Sequence, residues 1–406
     1  MTTSQALAPA GLPRLLSRPY KYLRLEWTSE LGMLRVRTCV KPIQCYSLAG
    51  LTEMQRVLDD IAENPGVVRH LVLSSDVTGV FNFGGDLALF VLLVRAQDID
   101  SLKMYGRRCI DLVWWLEHAA QRGVHTTVLV QGDTLGGGLE SVLPFHKVIF
   151  ERSAQAGFPE VLFNLFPGMG AWDFTIRKAG FAVANDMILS GRLYTAEQLL
   201  RRSLVDAVVD DGAGEEAMLE IVRGVDPKLR GTLAALRAQR MAAPITYESL
   251  VEAVDLWAET ALTLTTRDLR LMERLARAQV RKAGGAEEVL LFDLALEEDA
   301  HALADAVGGD GDRLVAAALH VVEEARGQAI GAQARDADGA ARLDDRGDEV
   351  LELGVIGDGG ADQADLAGGV GHQAERGRHR QQAHAAVGRD AHDTEAALAR
   401  AAALGL

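Results

Sequence analysis

Glu140 and Glu160 each stand beside a glycine-rich turn in otherwise apolar company. The run Val130-Gln-Gly-Asp-Thr-Leu-Gly-Gly-Gly-Leu-Glu140 reads as a strand ending at Gly132, followed by consecutive glycines that open a helix. Glycines weaken a helix start, because each loses more conformational freedom than any other residue. They also let a ligand approach the backbone, at a helix end whose free N–H groups carry partial positive charge. An oxyanion suits such a place, although a tight strand-to-helix turn explains the glycines alone equally well. A second glycine turn, Val80-Phe-Asn-Phe-Gly-Gly-Asp-Leu87, follows another buried strand, and Gly85 offers a further N–H. Two converging donors are what an enolate oxygen requires. Glu160 lies within Ala156-Gly-Phe-Pro-Glu-Val-Leu-Phe-Asn-Leu-Phe-Pro-Gly-Met-Gly170. Apolar neighbours desolvate a carboxylate and raise its pKa, as a general acid or base needs. One glutamate in apolar company is more often a structural, salt-bridged residue. A pair, each beside a glycine-rich turn, favours acid–base chemistry.

The elements that must hold these residues alternate along the chain. Residues 20–48 alternate loosely in polarity and predict two antiparallel strands around Glu30-Leu31-Gly32. Leu51 to Ala62 has helical spacing, and Val67 to Ser74 reads as a buried strand. A loop from Gly79 to Gly85 follows, then an apolar stretch from Leu87 to Val94. Leu102 to Ala120 is helical, and Thr126 to Gln131 and Lys147 to Glu151 are strands. From Pro244 to Lys282 the pattern is helical, broken near Thr265-Thr266. Strands alternating with helices predict an α/β fold of repeated β-β-α units with C-terminal helices. The expected organisation is an N-terminal extension (1–19), a core (20–225), a C-terminal helical region (226–282) and a tail (283–406). The stretch Ala88-Leu-Phe-Val-Leu-Leu-Val94 is apolar all round, so it is buried. It either walls a tunnel for an acyl chain or simply packs the core. Leu89, Val91, Leu92 and Trp257 are the pocket candidates on that view, with Leu135 and Gly136 beside the glycine turn.

At this point the sequence resembles a known family. Phe-x-x-Gly-Gly-Asp-Leu (81–87), Gly-Gly-Gly-Leu-Glu (136–140) and Pro-Glu-Val…Pro-Gly-Met-Gly (159–170) match the enoyl-CoA hydratase/isomerase (crotonase) superfamily in order and spacing. Ser190-Gly-Arg-Leu-Tyr-Thr-Ala196 and Leu204-Val-Asp-Ala-Val-Val209 match its later segment. Within it, residues 159–171, Val251-x-x-Val-Asp-Leu-Trp-Ala258 and Arg267-Asp-Leu-x-x-Met-x-Arg-Leu-x-Arg-Ala-Gln279 look like the diffusible-signal-factor synthases. The resemblance covers about residues 15 to 282 and implies the crotonase fold. It implies that the N–H groups of Gly85 and Gly137 form an oxyanion hole for a thioester carbonyl, and that Glu140 and Glu160 are the catalytic pair. In such synthases a 3-hydroxyacyl thioester on acyl carrier protein is dehydrated to a cis-2-enoyl thioester, then hydrolysed to a free fatty acid used in quorum sensing. Carried over, Glu160 takes the C2 proton, Glu140 protonates the departing 3-hydroxyl, and a glutamate-activated water cleaves the thioester. The resemblance further implies a homo-trimer or hexamer and control by the receiver domain of a sensor kinase. An enoyl-CoA hydratase of fatty-acid oxidation, and a non-catalytic regulatory scaffold of the same fold, are the competing readings.

Composition narrows the field. The formal charge of −15 resides entirely in residues 283–406, which hold 25 Asp+Glu, 10 Arg and no Lys. Residues 1–282 balance 32 basic against 32 acidic side chains, which gives no bias toward nucleic acid or an anionic membrane. Three cysteines at irregular spacing, no secretion signal and no long apolar run predict a cytoplasmic protein without membrane insertion. No cofactor and no metal are expected: there is no phosphate-loop motif, and the histidines lack metal-ligand spacing. The tail contains no Pro, Ser, Asn, Cys, Met, Trp or Tyr, and a single Phe292. Nearly all its residues have codons beginning with G or C, as expected when GC-rich DNA is read out of frame. It is therefore expected to be either frameshifted sequence or an acidic disordered extension, and dispensable on both readings.

Overall fold

A short helix α1 (Leu12–Ser17) leads into a hairpin of β1 (Leu23–Thr28) and β2 (Met33–Thr38). The turn between them closes on Gly32 at φ 54°, a left-handed conformation that glycine adopts at little cost. These are elements of a computed structural model that describes residues 12–283. Most of the expected extension 1–19 and almost all of the tail 283–406 lie outside the described residues. Helix α2 (Leu48–Glu63) follows; Ser47 caps it by accepting the Gly50 N–H, and Leu51, Met54, Leu58 and Ile61 are buried along one face.

The chain then lays down strands in pairs. Strand β3 (His70–Ser75) joins β2 in a six-stranded sheet, and β4 (Gly79–Asn82) crosses into a second, four-stranded one. Helices α3 (Leu87–Arg95) and α4 (Ile99–Glu117) complete that unit. The pattern repeats with β5 (His125–Val130), β6 (Gly132–Leu135) and α5 (Gly137–Val142). It repeats again with β7 (Lys147–Glu151) and β8 (Gln155–Gly157), then α6 (Ala171–Ala179) and α7 (Phe181–Ser190). Strand β9 (Leu193–Thr195), helix α8 (Ala196–Arg201) and β10 (Ala207–Val209) close the two sheets. The large sheet runs β1-β2-β3-β5-β7-β10, parallel after the hairpin, and the small one β4-β6-β8-β9. This is the expected series of β-β-α units.

Two local expectations need correction. The stretch from Gly79 is a strand through Asn82 rather than wholly a loop, and β6 separates Gly132 from the helix that the glycines open. Strands of four residues, two of them beginning on glycine, are too short to show an alternating pattern. Gly132 is required by the pairing itself, since a Cβ there would lie 2.1 Å from the carbonyl carbon of Gly79.

Both faces of the large sheet are covered, so β5 is buried at every position and β7 at all but its first. Met218 and Val222 of α9 (Gly214–Val225) pack with Met33, Val72, Leu129 and Ile149 on one face. Val36, Leu71, Leu73, Val128 and Val130 point into the main core on the other. After α10 (Leu229–Ala242), helices α11 (Tyr247–Ala261) and α12 (Thr266–Ala283) fold back over α4 and α3, with the break between them where the sequence placed it.

Candidate active site

Glu140 and Glu160 line one cavity of about 1000 Å³, its open mouth included. Glu140 projects from α5 and is 1% exposed. Its Oε1 accepts the backbone N–H groups of Met169 at 2.6 Å and Ala171 at 3.0 Å, so the chain after the Pro-Gly turn grips this carboxyl. Burial pushes its pKa well above the usual carboxylate range and the Glu160 charge adds to the rise, while the two N–H bonds oppose it. Glu160 stands in the 3-10 turn Pro159–Phe163, half-buried at the cavity wall. Its Oε2 has no hydrogen-bond partner among the described residues, and burial raises its pKa to about 8. Two buried carboxyls that repel each other do not both ionise, so the pair keeps one acid while the other supplies the base as pH rises toward 8.

The glycines around the pair are used by contact. A Cβ on Gly136, which has φ 53°, would meet Glu160 Oε1 at 2.2 Å. The missing side chain is therefore the space in which the Glu160 carboxyl lies. A Cβ on Gly84 would sit 2.9 Å from the Gly137 nitrogen, and one on Gly137 would sit 3.5 Å from the Gly85 nitrogen. The two glycine turns thus touch, and neither the Gly85 nor the Gly137 N–H has an acceptor among the described residues. Tyr105 of α4 holds the Gly85 turn from behind. Its hydroxyl accepts the Asp86 N–H and donates to the Tyr46 carbonyl, both at 2.8 Å, and burial keeps it protonated by raising its pKa. Asp86 in turn caps α3 by accepting from Ala88 and Leu89 at 3.0 Å.

Of the pocket candidates, Leu135, Gly136 and Trp257 line the cavity. Leu89, Val91 and Leu92 do not: they are buried in the core, and Leu87 and Phe90 are the residues of α3 that reach the cavity. Phe90 packs on Trp257 with ring centroids 5.1 Å apart, and Gly168 leaves room for that indole, since a Cβ there would come within 2.7 Å of it. Helix α12 adds Leu271, Met272, Leu275 and the buried Gln279. An Asn164–Asp268 hydrogen bond of 2.8 Å ties this helix to the turn that carries Glu160. Sequence reasoning missed the roles of Tyr105, Asp268 and Gln279. Each is an ordinary helix residue by local pattern, and only the motif wording around 267–279 marked two of them. Among the described residues no group of His, Cys, Asp or Glu side chains could hold a metal ion, and no helix is long and apolar enough to cross a membrane.

A model of the enoyl-CoA hydratase/isomerase family matches residues 43–264, more than half of the chain. The chain belongs to the enoyl-CoA hydratase/isomerase family. An enoyl-CoA hydratase from Bacillus halodurans superposes with a TM-score of 0.53 at 19% identity, covering 62% of this chain and 99% of its own. DspI of Pseudomonas aeruginosa is 24% identical with a TM-score of 0.48, covering 58% and 96%. At 19% identity the likeness to the Bacillus halodurans enzyme establishes the fold alone. The matched segment contains the two glutamates and both glycine turns.

Proposed function

We propose that this member of the enoyl-CoA hydratase/isomerase family dehydrates a 3-hydroxyacyl thioester carried on acyl carrier protein and hydrolyses the product to a free cis-2-unsaturated fatty acid, a quorum-sensing signal. The observation that carries the reading is the pair of buried carboxyls in one apolar cavity, next to two unengaged backbone N–H groups. Those N–H groups would bind the thioester oxygen, and an enolate forming there would be stabilised where its charge develops. The ionised carboxyl, assigned to Glu160, takes the C2 proton. The protonated one, assigned to Glu140, gives its proton to the C3 hydroxyl, which leaves as water. A glutamate-activated water then adds to the thioester carbonyl, the C–S bond breaks and the carrier thiol takes up the proton. The apolar lining from Phe90, Trp257, Met272 and Leu275 suits a medium or long acyl chain, each buried CH₂ contributing about 0.8 kcal/mol. The sequence resemblance at residues 159–171, 251–258 and 267–279 supports the synthase reading over others in the family.

Family membership also favours a second reading, hydration of an enoyl-CoA without thioester cleavage. Incubation of the full chain with 3-hydroxyacyl carrier protein, followed by mass spectrometry of free acids, separates the two. The proposal expects a free unsaturated acid, lowered about 10²–10⁴-fold by Glu140→Ala or Glu160→Ala at unchanged melting temperature. Brisk hydration of short enoyl-CoA with no free acid released would leave the hydratase reading.

A further inference from the structure

Helix α12 presents two chemically different faces. Leu271, Met272, Leu275 and Gln279 wall the cavity. Arg267, Arg270, Arg274 and Arg277 are all exposed, and their spacing of three, four and three residues sets them in one stripe along the outside. The same spacing continues in the sequence to Arg281. The helix as a whole carries five arginines and a lysine against one aspartate and one glutamate, although residues 1–282 are neutral overall.

Among the described residues none of the four exposed arginines has an acidic side chain within ion-pair distance. Glu273, four residues before Arg277, is the acid best placed to neutralise the stripe, but Arg95 of α3 engages it. Asp268 is buried and turned to Thr265 and Asn164. Like charges at these spacings destabilise a helix by about 0.2–0.5 kcal/mol per pair. An exposed helix usually mixes its signs for that reason, so a single-sign stripe is stabilised by whatever anion meets it.

We propose that this arginine stripe is the docking face for the acidic surface of the carrier protein that delivers the acyl thioester. The inference rests on the reading that the substrate arrives on a protein carrier. Its geometric support is that the stripe is the reverse side of the helix that walls the cavity. A carrier seated there is about one helix diameter, roughly 10 Å, from the cavity lining. Surface charges of this kind act mainly on the encounter rate and make association salt-dependent. A free CoA thioester or a small thiol ester has no protein surface to meet the stripe and gains little from it.

The test uses the full 406-residue chain and a fluorescently labelled holo-acyl carrier protein, with affinity read by anisotropy and turnover read separately. Arg270→Glu/Arg274→Glu is expected to weaken carrier binding at least about tenfold, chiefly through association, and wild-type affinity should fall as salt shortens the screening length from about 10 Å at 0.1 M toward 3 Å at 1 M. Turnover of the same acyl group as its N-acetylcysteamine thioester should stay within about twofold of wild type. Arg270→Lys/Arg274→Lys should retain binding and the Gln pair should fall between, an order that holds even if the Glu pair folds poorly. Carrier affinity that is unchanged or tighter in the charge-reversed protein would overturn the proposal and point to another occupant, the acidic segment 283–406 among them. Equal loss on the carrier and the small thioester would also overturn it, showing that the arginines support the helix rather than a partner. Salt-sensitive carrier binding with no turnover of any thioester would leave the docking face standing and reject the proposed reaction instead.

Discussion

A methyl group on Gly136 would lie 2.2 Å from Glu160 Oε1, on a backbone already at positive φ. Gly136→Ala is therefore expected to displace the carboxyl and to strain the turn by about 1–3 kcal/mol. Misplacing a catalytic group by about 1 Å can cost 10²-fold in rate, so turnover should fall by about that factor with a modest drop in melting temperature. Steady-state kinetics and calorimetry on the one variant check both. Glu160 also links stability to pH. Burial raises its pKa from 4.5 to about 8, so the folded protein holds this proton more tightly than the unfolded chain. Its effect on stability is most favourable below the unfolded value and is lost as pH rises toward the folded one. Glu160→Gln cannot titrate and is expected to melt above wild type at alkaline pH, with no such advantage near pH 4. In the wild type, kcat/KM should rise with pH along a limb that reports the Glu140–Glu160 pair as a unit, and the variant should lose that limb. A melting difference that does not depend on pH would show that Glu160 does not carry the shifted titration.

At the scale of elements, α12 is held over the cavity by its first turn. Thr265 and Asp268 cap one another: Asp268 Oδ2 accepts from the Thr265 N–H at 2.9 Å, and Thr265 Oγ1 accepts from the Asp268 N–H at 3.4 Å. Asp268 Oδ1 also accepts from Asn164, whose left-handed φ of 59° ends the turn that bears Glu160. Asp268→Ala removes the carboxylate half of this cap and the cross-link to Asn164 together and is expected to cost about 1–2 kcal/mol. Because Met272 and Leu275 follow on the same helix, the larger functional effect should be on KM for long acyl chains, with kcat changed less. Titration of chain length against both constants tests this. A loss confined to kcat would mean that α12 does not shape the pocket.

Across the whole molecule, the large sheet begins on a row of histidines. His70 opens β3, His125 opens β5 and His146 precedes β7. Their rings stand 5.6 and 5.3 Å apart, and His70 Nδ1, His125 Nδ1 and His146 Nε2 have no partner among the described residues. Burial lowers all three pKa values, that of His125 to about 4. Asp226 and Arg69 face His70, while Lys147 and Asp206 face His125. Arg240, Lys178 and Arg177 face His146. Neutral in the fold, these rings protonate in the unfolded chain below about pH 6.5, so their effect on stability is lost as pH falls from that value. Glu140 and Glu160, with raised pKa values, act in the opposite sense over the same range. The test is therefore a difference: the urea midpoint of His125→Gln is expected to gain on that of wild type between pH 7 and pH 5, and a difference that stays level would mean that His125 binds its proton equally well in the folded and unfolded chain.

The chemistry of the site is written locally in the sequence. Glycine is needed where a backbone N–H must be bare or where a carboxyl must fit, so Gly85, Gly136 and Gly137 mark the turns, and the glutamates stand beside them. Hairpin, core strands and C-terminal helices were legible for a similar reason, because each is long enough to show its own period. The phase of α3 was not legible. A helix apolar on every side carries no signal of which side meets the cavity, and packing against α4 and α12 turned Phe90 rather than Leu89, Val91 and Leu92 toward it. The small sheet escaped notice because three- and four-residue strands have no readable alternation. Tyr105 behind the Gly85 turn, Asn164 on Asp268 and Met169 on Glu140 are separated by 19 to 104 residues. Contacts across such distances depend on how the units stack, which the tertiary structure alone decides.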